Sequence, residues 1–271
     1  MAFDLDGTLA VSKSAIDSEM VTLLERLVSV VPVAIISGGD WPQFLVQLVA
    51  QLPSDVDLTR VILLPTCGTK LYRFEDSWHK IYSEELTKEE RQRTVEAISR
   101  AVERSGFMPA KTWGEIIEDR GTQITYSALG QQAPIEAKRT WDPDFAKRMQ
   151  LKAAIDSMIP DLSVHFGGTT SIDVTRPGID KAYGIRKIEK ILSIPAAEML
   201  YVGDALFAGG NDAPVREMGV ASIQVRDPEE TKRVIETFLA CRGEPMKTDV
   251  RIQSPCIGVG TETGLVRRPI G

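Results

Sequence analysis

The chain has 271 residues, 43% of them hydrophobic, and a net charge of −6, which is enough apolar material and length for a sizeable core and two modest domains. The acidic balance, with an isoelectric point near 5.2, argues against a nucleic-acid footprint. No apolar run approaches the ~20 residues of a membrane span and no basic-then-apolar leader opens the chain, so a soluble cytoplasmic protein is expected.

The first element is a strand that ends in two acids. In Phe3-Asp4-Leu5-Asp6 apolar and acidic residues alternate with the period of a strand, and Gly7-Thr8 then turns the chain. Two carboxylates at the carboxyl end of a strand sit where open α/β sheets bind ligands. One can attack phosphorus, splitting a hard displacement into two easier ones; the other can protonate the leaving oxygen and later deprotonate the attacking water. At ~4 Å two such charges repel by about 4 kcal/mol at an effective dielectric of 20. The pair therefore calls for a divalent cation or a retained proton. Only Met1 to Leu5 precede or form this strand, shorter than a buried central strand usually is, so the natural start is expected several residues upstream.

Residues 14–29 carry apolar positions at helical spacing, including Met20, Leu23, Leu24 and Leu27. The β-branched run 30–36 reads as a strand buried on both faces, and it ends in Ser37-Gly38-Gly39-Asp40 ahead of a helix from Pro42 to Val49. That turn reads either as an anion nest at a helix N-terminus or as a plain βα turn with a capping serine. Val61 to Leu64 is a further strand. A charge-rich helix over 86–105 follows, then strands over 115–118 and 123–130, and a helix over 142–158 opened by Asp142-Pro143. Strands over 163–166 and 170–174 flank Gly167-Gly168. This succession reads as a small antiparallel α/β unit inserted into a larger one.

Lys181 starts a helix running to Leu192; a lysine there opposes the helix dipole, so local structure gives little reason for it. The strand Met199 to Val202 ends in Gly203-Asp204 and a glycine-rich loop that delivers Asn211 and Asp212, the hard oxygen donors that magnesium takes. A last strand, 220–225, and a last helix, 228–239, precede residues 241–271, which lose periodicity and are expected to be poorly ordered. Cys67, Cys241 and Cys256 are widely spaced and form no zinc motif. With only His79 and His165 available, acid–base work falls to carboxylates.

Residues 3–9 resemble motif one of the haloacid dehalogenase superfamily of phosphohydrolases and phosphotransferases. The later segments narrow the resemblance to the branch with an α/β cap, and within it to eukaryotic-type phosphomannomutases and their phosphatase relatives. The resemblance implies a doubly wound, Rossmann-like, mostly parallel core, residues 1–82 and 176–240, interrupted by an α/β cap at 83–175. It implies Asp4 as nucleophile and Asp6 as general acid/base. Ser37, Gly38 and Lys181 would hold the phosphoryl group. Mg²⁺ would lie between Asp4, the Asp6 carbonyl and Asp204, with Asn211 or Asp212 completing or orienting the shell. Arg120, Ser171 and Asp173 of the cap would hold a distal sugar phosphate. Three departures stand out: relatives place arginines where this chain has Lys13 and Gln131, and a third matches Arg139 only loosely. Losing a forked donor weakens a distal phosphate clamp. The expected activity is therefore a Mg²⁺-dependent phosphohydrolase acting on a small phosphate ester such as a sugar phosphate. A hexose phosphate mutase is the alternative, and a non-catalytic phosphosugar-binding protein a minor one. A homodimer through the cap is left open.

Overall fold

The structure, a computed structural model, describes residues 1–53 and 56–243; the expected tail lies outside the described residues from 244 onward. In chain order the elements are β1 (Ala2–Phe3), α1 (Ser18–Val30), β2 (Val33–Ile36), α2 (Trp41–Gln47), β3 (Val61–Leu64), β4 (Lys70–Phe74), β5 (Trp78–Ser83), α3 (Lys88–Ser105), β6 (Ile117–Asp119), β7 (Ile124–Ser127), α4 (Ile135–Trp141), α5 (Ala146–Met158), β8 (Ser163–Phe166), β9 (Ser171–Thr175), α6 (Lys181–Leu192), β10 (Leu200–Gly203), α7 (Ala213–Glu217), β11 (Ala221–Gln224) and α8 (Pro228–Cys241). Among the described residues no helix is long and apolar enough to cross a membrane.

Seven strands form one sheet in the order β11-β10-β1-β2-β3-β4-β5. From β11 to β3 they run parallel, and β4 and β5 are antiparallel additions at the edge. Successive residues of a strand face opposite sides, so this sheet has two cores. Phe3, Val33, Ile35 and Leu63 pack with Leu27 of α1 and Leu239 of α8. Ala2, Ala34, Ile36 and Ile62 pack with Ile185 and Ile188 of α6 and Val215 of α7. Helices on both faces of a mostly parallel sheet make this the doubly wound α/β fold. The second sheet, β6-β7-β9-β8, is antiparallel. Its strands fall between β5 and α6, and it shares a core with α3 and α5 through Ile98, Val102, Tyr126, Leu151, Ile155 and Ile172.

Three elements differ from the sequence reading. The α1 helix begins four residues later than expected because the Asp17 carboxylate caps it, accepting from Met20 N at 2.8 Å. The helix expected over 142–158 begins only at Ala146, as α5, and a separate helix, α4, ends at Trp141 just ahead of Asp142. Pro143 cannot continue α4, and the Asp142 carboxylate reaches past the break to accept from Lys147 N at 2.9 Å and Arg148 N at 3.3 Å. The β4–β5 hairpin is a further difference: the outer strand has no buried residue, and its apolar Trp78, Ile81 and Tyr82 do not alternate with polar ones.

One close approach fixes the active edge. A Cβ on Gly68 would lie 2.7 Å from the Cα of Gly184 in α6, and Gly68 has φ of 89°. Glycine here lets α6 lie against the turn after β3, which sets the height of Lys181 at the helix start. Gly68→Ala is expected to lower stability by about 2 kcal/mol, from the left-handed backbone and the clash together. A urea unfolding midpoint equal to wild type would show that α6 has room to shift.

Candidate active site

Parallel neighbours bring their carboxyl ends to one edge, so β10, β1 and β2 present three loops side by side. Asp4 follows β1, Asp204 follows β10 and Ser37 follows β2. Lys181 enters from the start of α6 and is fully buried. Its ammonium donates to Asp4 Oδ1 at 2.6 Å and to Asp212 Oδ1 at 2.5 Å. Asp212 also accepts from the Tyr201 hydroxyl at 2.5 Å on the same oxygen and from Ala205 N at 2.9 Å on the other. Burial tends to neutralise Lys181, but Asp212 and Asp4 outweigh it and hold the ammonium well above the usual lysine range.

The acids feel the opposite imbalance. Asp4 is 3% exposed. Burial pushes its carboxyl well above the ordinary carboxylate range against the pull of Lys181, and Asp212 and Asp204 push the same way. Asp204 is raised too, by burial and then by Asp212. Asp4, Asp204 and Asp212 bring carboxylate oxygens within 4.8 Å of one another. Three carboxylates facing one ammonium leave excess negative charge in an oxygen-only donor set, which fits a hard divalent cation such as Mg²⁺. Asp4 and Asp204 would hold it, while Asp212, its oxygens already engaged, orients Lys181. Gly7 allows this crowding: its φ is 88°, and a Cβ there would lie 2.5 Å from Asp204 Oδ2. Asn211 is exposed, in contrast to Asp212 beside it.

Asp6 takes a different environment from Asp4. Its carboxylate accepts from Lys13 N at 2.7 Å, Gln43 Nε2 at 2.6 Å and Gln47 Nε2 at 3.1 Å. The Lys13 ammonium lies 3.5 Å away and also donates to Gln43 Oε1. Burial works against ionisation, but Lys13 and these donors prevail and hold the Asp6 carboxyl below its usual range. Two carboxyls two residues apart are thus pushed in opposite directions, the pattern that separates acid–base roles. The Ser37 hydroxyl is buried and accepts from Gly39 N at 3.0 Å, which leaves its own hydrogen free to donate.

The second sheet closes on the same loops. Arg120 donates to Gly38 O at 2.7 Å and, through Nε and Nη2, to Glu118 Oε2 at 3.0 and 2.6 Å. Gln123 Nε2 reaches the same Gly38 carbonyl at 3.2 Å. Thr122 bonds Thr66 and Thr69 through buried hydroxyls. Asp173 accepts from Thr125 at 2.7 Å, and a Cβ on Gly38 would lie 3.7 Å from its carboxylate. Ser171 shares a 2.8 Å hydrogen bond with Ser127, which also accepts from Gln131 Nε2 at 2.8 Å. Arg139, matched loosely in the sequence, is exposed and paired with Glu136 at 3.2 Å. Its neighbour Lys138 is the cation that turns inward, donating to Gln131 O at 3.0 Å. Burial and the nearby Lys13 charge hold its ammonium below the usual lysine range. Sequence reasoning passed over Lys138, Gln43 and Gln47; one residue of offset in the match at 139 was the only available hint for the first.

These features define a protein of the haloacid dehalogenase-like class, and solved structures of that class share the fold. A haloacid dehalogenase-like hydrolase from Bacteroides thetaiotaomicron superposes with a TM-score of 0.58 at 15% identity, covering 88% of this chain and 98% of that one. An IMP-nucleotidase from Plasmodium falciparum gives 0.65 at 16% identity, covering 88% and 67%. More particularly, the profile of the eukaryotic phosphomannomutases matches residues 20–241, and the chain belongs to that family. A phosphomannomutase from Spinacia oleracea is 29% identical over 255 residues, 88% of this chain and 94% of the relative. One from Saccharomyces cerevisiae is 25% identical over 243 residues, covering 86% and 91%. The chain is a phosphotransfer enzyme of the haloacid dehalogenase type.

The excess charge at Asp4 and Asp204 generates a prediction that needs no substrate. Mg²⁺ at millimolar concentration is expected to raise the melting temperature of the wild type. In Asp204→Asn the rise should be largely lost. Equal shifts in the two proteins, read by differential scanning fluorimetry, would remove Asp204 from the metal site.

Proposed function

We propose that the chain is a hexose phosphate mutase of the phosphomannomutase kind, moving a phosphoryl group between two hydroxyls of one sugar through an aspartyl-phosphate on Asp4. The observation that carries this reading beyond general phosphoryl transfer is the depth of Asp4. At 3% exposure, beneath a sheet bonded to the Gly38 carbonyl by two side chains, a phosphorylated Asp4 is kept from water. A mutase needs that protection and a hydrolase does not. Membership of the phosphomannomutase family supports the same choice. Residues 83–175 serve in this reading as the cap that selects the sugar.

In the first half-reaction Asp4 attacks phosphorus and the sugar–oxygen bond breaks, the leaving oxygen taking its proton from Asp6. In the second, Asp6 removes a proton from the other hydroxyl, which takes the phosphoryl group and frees Asp4. Asp6 is ionised in the resting geometry, so the proton it delivers must come from outside the protein, from solvent or from the substrate's phosphate bound as the monoanion. Lys181 and the Ser37 hydroxyl hold phosphoryl oxygens. A bound Mg²⁺ supplies neutralisation of the phosphoryl charge. Arg120, Ser171 and Asp173 contact the sugar phosphate away from the reacting centre, and Lys13 and Lys138 add positive charge between the two ends of the site.

The phosphohydrolase expected from the sequence is the second reading, and one observation favours it. Gln131 has no charge and its amide is engaged by Ser127, while Arg120 is engaged by Glu118 and Gly38. The distal clamp therefore has fewer forked cations than relatives present. Incubation of glucose 1-phosphate and of mannose 1-phosphate with Mg²⁺ and a trace of hexose bisphosphate separates the two. The mutase yields hexose 6-phosphate without release of inorganic phosphate; stoichiometric phosphate release would replace it with the hydrolase.

Asp4→Asn keeps the shape of the side chain and removes its nucleophilic charge. It is expected to lose turnover by roughly 10³-fold or more with an unchanged circular dichroism spectrum. Retained activity would move the nucleophile elsewhere.

A further inference from the structure

We propose that Arg148 is a positioning residue of the candidate site, one that fixes the turn carrying Ser171 and Asp173 without itself meeting the substrate. The proposal rests on the mutase reading in taking those two residues as sugar-phosphate contacts. Arg148 lies on α5, the helix behind the Gly167–Thr170 turn, and is 2% exposed, the bulkiest of the fully buried side chains. Its Nε donates to Asp142 Oδ2 at 2.7 Å, and the Asp142 side chain is itself fully buried. The guanidinium lies against a pair of rings that meet edge to face, 4.4 Å from the centroid of Phe145 and 5.7 Å from that of Phe166.

A buried ion pair is a poor means of stabilising a small α/β layer, since well-packed apolar side chains of similar size often do as well or better. What an apolar side chain cannot do is donate. Arg148 Nη1 donates to the carbonyl of Gly168 at 2.5 Å. The same carbonyl faces Ser171 N at 3.5 Å, and the turn closes with Gly167 N donating to Ser171 O at 3.0 Å. Thr170 is buried and its carbonyl accepts from Ala128 N at 3.1 Å, but Gly168 and Thr169 are exposed, so Arg148 is the side chain that holds the tip of the turn. The turn matters because Asp173 is packed against it: a Cβ on Gly167 would lie 2.8 Å from Asp173 Oδ2 and 2.9 Å from Ser171 Cβ. Asp142 completes the device by capping the α5 amides as well as neutralising the guanidinium. A displacement of Gly168 is therefore passed to both residues that face the sugar, while Asp4, Lys181 and Asp204 belong to the other sheet.

The test compares wild type with Arg148→Met, Arg148→Lys and the double variant Arg148→Met/Asp142→Leu, which removes both buried charges and so keeps the fold measurable. Amide hydrogen exchange over 167–171 needs no substrate. It is expected to quicken by about tenfold in the Met and double variants relative to the amides of β7, with the Lys variant between. In steady state, KM for glucose 1-phosphate should rise by roughly tenfold while kcat/KM for p-nitrophenyl phosphate, which carries no sugar, stays within about twofold of wild type. Unchanged exchange at the turn in the double variant would overturn the proposal, as would equal losses on the two esters. Should the wild type convert no hexose phosphate at all, the mutase reading falls, and the exchange result still decides whether Arg148 holds the turn.

Discussion

The structure depends most on one buried ammonium. Lys181 Nζ lies between Asp4 and Asp212, joining the end of the first strand to a helix and a loop far along the chain. Each charge is tolerated at its depth because the others face it. A lone carboxylate at the depth of Asp4 would neutralise itself, and a lone ammonium at the depth of Lys181 would shed its proton. Removing the ammonium would leave the buried acids without a counter-charge, at a cost of roughly 3–5 kcal/mol, whereas neutralising Asp4 still leaves Lys181 paired with Asp212. The helix dipole at the start of α6 adds nothing, since it opposes a cation there. The lysine is retained because the acids need it, and the acids are placed where phosphoryl chemistry needs them.

Charge balance then accounts for the remainder of the centre. One ammonium against Asp4, Asp204 and Asp212 leaves a net negative site, so the resting protein either keeps a proton on Asp4 or Asp204 or takes up a cation. Asp6 is only two residues from Asp4 yet escapes this imbalance, because Lys13, Gln43 and Gln47 surround it with donors. The contrast is set by which loops face each carboxylate, not by any difference between the side chains. Lys13 achieves its bidentate approach with φ of 61°, a conformation uncommon outside glycine.

How much of this was legible in the sequence follows from range. Asp4, Lys181 and Asp204 each end or begin an element whose apolar pattern is strong, and Asp212 follows from the glycine-rich loop after Asp204, so their placement on one edge follows once β10, β1 and β2 are neighbours. The donors around Asp6 left no such trace. Gln43 and Gln47 lie on a short helix some forty residues away, and a glutamine on a helix ordinarily reads as a solvated face. The same blindness hid Lys138: α4 carries Trp141 as its one buried residue, so nothing in its period told which of Lys138 and Arg139 turns inward. The division of α4 from α5 was hidden differently. Asp142-Pro143 looks like a helix start, and only the reach of the Asp142 carboxylate to amides five and six residues on shows that the helix begins later.

On the proposed reading, closure and recognition share one residue in Arg120. Its guanidinium bonds a core carbonyl and its own neighbour Glu118, and it also stands where a distal phosphate is expected. A phosphate that recruits Arg120 must compete with Gly38 O and Glu118 for the same donors, so occupancy of the distal position loosens one of the bonds that hold the sheets together. Thr122, Gln123 and the hydroxyls of Thr66 and Thr69 make no such exchange, because neutral donors gain less from a dianion than a guanidinium does. The division is between contacts that keep the layers joined throughout and one charged contact free to change partner. A mutase has use for that division: its sugar must turn over between half-reactions while the aspartyl-phosphate stays dry, which requires the distal grip to release before the lid does.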